Sequence, residues 1–268
     1  MADSRDIDFM TEALAEARKG WCHTRPNPHV GCVIVKNGEI IARGYHRLAG
    51  EPHAEREALA QCSEDPRGAT MYVTLEPCAH HGRTPPCTEA IIDAGLARVV
   101  VGQRDPNPSA QGGAERLRAA GIDVETGVCE QEALLLNPGF NTVHMLGRPL
   151  VSLKWAMTAD GCTSTVTGDS RWISGPASRT LVHQMRAEHD ATLVGIQTAL
   201  LDNAKLTIRE APLPEGPALR RVVLDTNLQL PTNHPFLEEK QGIATIVCLE
   251  RASEVKEKRL REKGAEVW

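Results

Sequence analysis

The stretch "TLEPCAHHGRTPPC", Thr74 to Cys87, holds two cysteines, two histidines, an arginine and three prolines in fourteen residues. It is the end of an apolar, β-branched run, "TMYVTLE", which reads as a short buried strand. It runs into "CTEAIIDAG", whose apolar spacing is helical and which Gly95 closes. Cys87 therefore opens a helix, where the helix dipole favours a thiolate. Two cysteines separated by eight residues do not fit a zinc knuckle, whose ligands lie about two to four residues apart. Upstream, "PHAE" sets His53 and Glu55 two residues apart at the start of another helix, "HAEREALAQC". One histidine and two cysteines form the three-ligand set of an open zinc site, with a fourth position left for water. Soft thiolate ligands favour zinc over magnesium. Glu55 sits beside His53 without being needed as a ligand, which suits a general acid/base. A structural zinc, a redox pair or a solvated helix start are the competing readings. Glu55 discriminates among them, because a purely structural zinc has no use for it.

Outward from this stretch, strands and helices alternate. Residues from about Arg5 to Lys19 read as a helix ending at Gly20. "GCVIVK" and "EIIARGY" flank Asn37-Gly38, the dipeptide that a type I′ hairpin turn favours. "RVVVG" and "IDVETG" read as strands around the helix "GGAERLRAAG". This order implies an α/β sandwich, largely parallel after the opening hairpin. Pro138-Gly139 and Gly147-Arg148-Pro149 mark a junction, which divides the chain into domains at 1–146 and 147–268. In the second half, "LVSLKWAMT", "ATLVG", "RRVVLD" and "ATIVCL" read as strands. "GPASRTLVHQMRAEH" reads as a helix capped by Ser174, and "SEVKEKRLREKG" as a charged surface helix. "REAPLPEGPALR" reads as a solvent loop.

Composition excludes several classes. Hydrophobic residues are 41% and charged residues 24% of 268, a globular balance. The net charge of -5 argues against a nucleic-acid binder. No apolar run approaches the about 20 residues of a membrane span, and "MADSRDIDFM" has no signal-peptide core. The remaining cysteines, Cys22, Cys32, Cys62, Cys129, Cys162 and Cys248, are scattered, as in a protein of a reducing cytoplasm. The partner expected is a small molecule, with no nucleic acid and no membrane. Oligomeric state is open, with a homo-oligomer among the states allowed.

His-Ala-Glu followed by Pro-Cys matches most of the zinc nucleobase-deaminase signature, apart from the distance to the second cysteine. The longer motif "PCAHHGRTPPC", with "RPNPHVGCVIV", "GYHRLAGEPHAE" and "RDPNPSAQGG", closely resembles the bifunctional riboflavin-biosynthesis deaminase/reductase family. The resemblance spans about Pro26 to Gly113. It implies a cytidine-deaminase-like three-layer α/β/α domain that hydrolyses the ring amino group of a diaminopyrimidinone bearing a ribosylamino phosphate. It implies zinc ligands His53, Cys78 and Cys87, Glu55 as proton donor, and Asn27, His46, His80, Arg83 and Asn107 around the substrate. Arg83 is chemically apt for a phosphate. His81 reads as a solvated loop residue, and Asn107 in "DPNP" is equally a turn residue.

The second half has no G-x-G-x-x-G after a strand, so a Rossmann reading lacks support. "LKWAMTADGCTSTVTGDSRWISG" and "ALLDNAKLTIR" resemble the same family's reductase domain. That domain has a dihydrofolate-reductase-like α/β fold and transfers a hydride from NADPH to the ribose carbon. The resemblance implies cofactor contacts at Ala156, Trp172, Thr198 and Asp202. It implies substrate contacts at Lys154, Ser170, Arg186, Leu206 and Arg209. Surface charge for Arg186, core packing for Trp172 and a turn for Asp202 are the plain alternatives. The family's domain continues past the point where this sequence reaches Trp268, so the reductase half is expected to be truncated or weakened. Two alternatives stay open beside the bifunctional enzyme. One is a zinc deaminase of another base or nucleoside, or one with an inactive reductase half. The other is a non-catalytic module stabilised by zinc.

Overall fold

Asn37 and Gly38 carry φ of +52° and +84°, the pair of positive values that a type I′ turn requires. They join β1 (Gly31–Lys36) to β2 (Glu39–Tyr45), an antiparallel pair with a register shift between Ile34 and Val35. The computed structural model describes residues 3–80, 85–238 and 240–268. Its contacts divide the chain into two units, Met1–Ser152 and Leu153–Trp268.

In the first unit, helix α1 (Ser4–Ala17) precedes the hairpin, and α2 (Ala54–Ala60) follows it. Next come β3 (Thr70–Leu75), α3 (Cys87–Asp93), β4 (Arg98–Gln103), α4 (Gly113–Ala119) and β5 (Asp123–Thr126). The sheet order is β2-β1-β3-β4-β5. β3 runs antiparallel to β1, and β3, β4 and β5 are mutually parallel. Strand alternation sorts the core into two layers. Cys32, Ile34, Met71, Val73, Val99 and Val101 face Ala54 and Ala58 of α2, Ile91 of α3, and Ala114 and Leu117 of α4. Val33, Val35, Tyr72 and Val100 face Met10, Ala13 and Leu14 of α1 and Ala133 of α5 (Glu130–Leu136). The expected three-layer α/β/α sandwich is therefore present. The parallel strands β3 and β4 both deliver their C-terminal ends to one edge, where ligands bind in such sheets.

Pro138-Gly139, which the sequence marks as a break, instead opens helix α6 (Pro138–Leu146). Proline is tolerated in a first helical turn because its missing N–H would have no partner there. Asn137 holds this corner to the first unit. Its Oδ1 accepts from the His29 N–H at 2.7 Å, and its Nδ2 donates to the His29 carbonyl at 2.8 Å.

The second unit begins without the strand expected at Leu150–Thr158. Residues 149–158 have no regular structure, and Val151, Leu153, Trp155 and Met157 are exposed. An alternating pattern makes a strand only when a ladder partner is available, and none pairs with it among the described residues. α7 (Pro176–Glu188) starts one residue later than Ser174 predicts. Gly175 is its N-cap, and Pro176 takes the first turn. β6 (Ala191–Gly195), α8 (Ile196–Asp202), β7 (Arg220–Leu224), α9 (Pro235–Glu238), β8 (Ile243–Val247), α10 (Glu254–Glu262) and β9 (Glu266–Val267) complete the unit. The sheet order is β6-β7-β8-β9, all parallel. Its core joins Val223, Ala244 and Ile246 to Ala199, Phe236 and Leu260 of the helices. Among the described residues, no helix is long and apolar enough to cross a membrane.

Candidate active site

His53 is the N-cap of α2, with extended backbone at φ -71° and ψ 160°. That geometry turns its ring off the helix while Glu55, one residue into the first turn, is buried with 3% exposure. The helix can lie close enough because β2 offers Gly44. A Cβ there would stand 2.4 Å from the Ala58 nitrogen and 2.5 Å from the Ala54 carbonyl oxygen. Cys78 follows β3 through Glu76 and Pro77, and Cys87 begins α3.

These elements bring three donors together. His53 Nδ1 lies 3.6 Å from Cys78 Sγ and 3.3 Å from Cys87 Sγ. The Cys87 N–H donates to Cys78 Sγ at 3.3 Å. All three ligand atoms fall within 4.8 Å of one another. A tetrahedral zinc with ordinary bond lengths sets nitrogen and sulfur about 3.6 Å apart, so the donor set fits that ion. Hydrogen bonds from Cys87 and from His53 push the Cys78 thiol down to about 4, against the burial that opposes ionisation. The Cys87 thiol moves upward, because it shares its proton with Cys78 and is buried. Two thiolates this close need a cation between them, and a zinc ion held by His53, Cys78 and Cys87 would take the place of the shared proton. Burial raises the Glu55 carboxyl above its ordinary range, with His53 partly opposing. A carboxyl tuned upward suits proton transfer near neutral pH.

Around the triad, His46 is buried and its ring meets that of His53 edge-on at 5.6 Å. The Asn27 amide Nδ2 donates to His46 Nε2 at 3.0 Å, so the His46 proton sits on Nδ1, which donates to the Pro52 carbonyl at 3.1 Å. Burial lowers the His46 pKa, which keeps this neutral tautomer. Asn107 is a turn residue. Its N–H donates to Asp105 Oδ1 at 2.8 Å, and its own Oδ1 accepts from the Ser109 hydroxyl at 2.8 Å. His80 is exposed. Arg83 and His81 lie outside the described residues.

Sequence reasoning missed Glu76. Its buried carboxylate accepts from the Ala114 N–H at 3.0 Å and the Asp105 N–H at 3.2 Å. It thereby ties the Cys78 strand end to the start of α4 and to the Asn107 turn. Gly113 makes that approach possible, since a Cβ there would meet the Pro77 carbonyl oxygen at 1.8 Å. The acidic residue directly before Pro-Cys was the available signal.

In the second unit, one cluster forms. Arg186 Nη1 donates to the Thr207 carbonyl at 2.5 Å, and Arg209 Nη1 donates to the Thr207 hydroxyl at 3.0 Å. The Arg209 N–H donates to Nδ1 of buried His183 at 3.3 Å. Leu206, in the left-handed region at φ +57°, starts this turn. Burial and the neighbouring Arg209 charge lower the Arg186 pKa. No carboxylate forms an ion pair with either arginine among the described residues. Trp172 is exposed, with the Arg179 guanidinium 4.3 Å from its ring centroid. Arg171 Nη2 donates to the Asp202 carbonyl at 2.7 Å, joining the Trp172 turn to the end of α8. Among the described residues, no hydrogen bond joins Lys154, Ala156, Ser170 or Thr198 to the arginine cluster.

Comparisons with known proteins match this layout. The cytidine and deoxycytidylate deaminase zinc-binding region covers residues 3–103, and the RibD C-terminal domain covers residues 149–268. The riboflavin biosynthesis protein RibD of Aquifex aeolicus is 48% identical over 266 residues, which are 98% of this chain and 74% of that protein. This chain belongs to the RibD family. RibD of Escherichia coli is 50% identical over 212 residues, 79% of this chain and 58% of that protein. A solved RibD of Acinetobacter baumannii has a TM-score of 0.85 at 40% identity, covering 98% of this chain and 73% of that one. A Thermotoga maritima structure described as a diaminohydroxyphosphoribosylaminopyrimidine deaminase/5-amino-6-(5-phosphoribosylamino)uracil reductase gives the same score and identity. There the match covers 98% of this chain and 80% of that one. RibD proteins are enzymes of riboflavin biosynthesis that pair a zinc-binding deaminase region with a reductase domain, and both regions are present in this chain. Zinc and NADPH are the cofactors that fit the two regions.

Proposed function

We propose that the first unit deaminates 2,5-diamino-6-(ribosylamino)-pyrimidinone 5'-phosphate to the aminouracil, and that the second reduces its ribosyl group to ribityl with NADPH. The observation that carries this reading is the His53–Cys78–Cys87 cluster with buried Glu55 beside it. His53, Cys78 and Cys87 hold zinc in this scheme, leaving one position open. Bound there, zinc supplies electrophilic activation of the attacking water. Glu55 takes the two protons of that water in turn, passing one to the neighbouring ring nitrogen and the other to the ring amino group, which leaves as ammonia while a carbonyl remains. Asn27 and His46 line the pyrimidine pocket, and the hydrogen bond between them fixes which atoms each presents. His80, Arg83 and Asn107 are the further substrate contacts of this reading, Arg83 being the one whose chemistry suits the phosphate.

In the reductase half, Arg186 and Arg209 bind the substrate phosphate, helped by the lack of a carboxylate partner among the described residues. Lys154, Ser170 and Leu206 contact the rest of the substrate. The exposed Trp172 face lies one hydrogen-bonded step from the α8 end that bears Asp202, with Thr198 on the same helix. An aromatic face beside such polar groups suits a nicotinamide nucleotide, and Ala156 completes this set. NADPH supplies the hydride. Eight free cysteines support a reducing, cytoplasmic location. Exposed apolar residues such as Leu153 and Trp155 support self-association, which sedimentation of the whole chain tests.

The decisive experiment measures metal content and ammonia release on the phosphoribosyl diaminopyrimidinone, cytidine and guanine. Turnover of the first alone, by a protein with one zinc per chain, is the expected result. NADPH oxidation on the deaminated product tests the second half separately.

A further inference from the structure

Arg56 follows Glu55 on α2, and its side chain reaches the opposite arm of the site. Its Nη2 donates to the carbonyl oxygens of Pro85 and Pro86, both at 3.1 Å. These two residues immediately precede Cys87. Neither has an N–H, so these two residues offer only carbonyl acceptors to a neighbouring element. The other arm has a comparable but longer contact. Arg116 Nη1 reaches the Ala79 carbonyl at 3.4 Å, while its Nη2 pairs with Glu89 at 3.0 Å. The helix bearing His53 and Glu55 is thus fastened to the Cys87 arm by a hydrogen-bonded bridge that needs no metal.

We propose that Arg56 is a positioning residue that pre-forms the zinc site by holding Pro85 and Pro86, and with them Cys87, against the helix that carries His53 and Glu55. This rests on the zinc-deaminase reading of the same site. The alternatives predict different signs. A guanidinium near a bound cation repels it, so an Arg56 that acted only as a charge would weaken zinc binding, and its removal would tighten it. An arginine that orders a ligand's backbone does the opposite, because its loss leaves the ordering cost to be met on metal binding. A merely decorative surface bond leaves zinc affinity unchanged in either direction.

The test uses the whole chain with Arg56→Met and Arg56→Lys variants. Zinc affinity is read by chelator competition, and ammonia release on the phosphoribosyl diaminopyrimidinone is followed at saturating zinc. Arg56→Met is expected to weaken zinc binding by about tenfold or more, in the range seen for groups that orient metal ligands. At saturating zinc kcat should stay within about twofold of wild type, since Arg56 touches no reacting atom. Arg56→Lys, which keeps a donor within reach of the two carbonyls, should recover part of the lost affinity. Unchanged or tighter zinc binding by Arg56→Met, with an active wild type, overturns the proposal alone. A wild type with no zinc and no ammonia release overturns the deaminase reading and this proposal with it.

Discussion

His53 Nδ1 stands 3.3 Å from Cys87 Sγ, although 34 positions separate the two residues. Two helix starts meet there, the N-cap of α2 and the first residue of α3, with Glu55 buried between them and the β3 end. Such a meeting costs electrostatic energy unless a cation occupies it. The surrounding carboxylate then has a chemical task beyond holding metal.

Glu55→Gln should abolish ammonia release while leaving zinc in place. The amide fills the same volume but cannot carry the proton, so kcat should fall by about 10²–10⁴. Metal analysis of the purified variant should still find one zinc per chain. Loss of zinc together with activity would assign Glu55 to the ligand set instead.

Asp6 joins α1 to the sheet from its buried position. It accepts from the Tyr72 hydroxyl at 2.7 Å and takes a two-point contact from Arg98 at 2.7 and 2.9 Å. Hydrogen bonding to Arg98 lowers the Asp6 pKa, against burial. A carboxyl whose pKa is lower in the folded state adds stability above its unfolded pKa of about 3.9, and that stability is lost as pH falls through the folded value. Asp6→Asn should therefore cost about 2 kcal/mol near neutral pH, with the difference closing as the medium becomes strongly acid. Urea unfolding of both chains from pH 7 downward measures it.

Much of this was legible in residue types whose meaning is local. Asn37-Gly38 marked its turn because few dipeptides tolerate positive φ twice. His53, Glu55 and Cys87 stood out because helix starts and ligand chemistry coincide in them. Other features depend on partners far away in the chain. Glu76 and Arg56 act through backbone groups 29 to 38 positions distant, and although the acidic residue before Pro-Cys hints at Glu76, no local pattern names those partners. The alternation in "LVSLKWAMT" suggested a strand, yet a strand is a property of two segments, and only one is visible in a local window. Pro138-Gly139 misled for a different reason, since the residues that break a helix interior are accepted in its first turn.

Gly44→Ala should disturb the metal centre from outside it. The added methyl carbon would fall 2.4 Å from the Ala58 nitrogen, and backbone cannot yield as a flexible side chain can. α2 must move away from β2, carrying His53 and Glu55 with it. Overpacking of this kind costs about 1–3 kcal/mol. The expected result is a lower unfolding midpoint together with weaker zinc retention against a chelator. A variant that lost neither would show that α2 has room to shift.

The arginine pair of the second unit makes a prediction that the first unit should not feel. Arg186 and Arg209 both hydrogen-bond to Thr207, one to its carbonyl and one to its hydroxyl, with buried His183 bracing the Arg209 backbone. Two guanidinium groups held together, with no carboxylate paired to either among the described residues, repel each other, and an anion relieves that repulsion. Losing one charge-assisted contact to a phosphate costs about 1.5–3 kcal/mol, or roughly 10- to 100-fold in binding. Arg186→Met and Arg209→Met should each weaken binding of the phosphorylated deamination product by that factor. Binding of the dephosphorylated product should change little, and ammonia release by the deaminase half should stay at the wild-type rate. Calorimetric titration with the two products, run beside the ammonia assay, separates these outcomes. Equal losses for both products would place the arginines away from the phosphate.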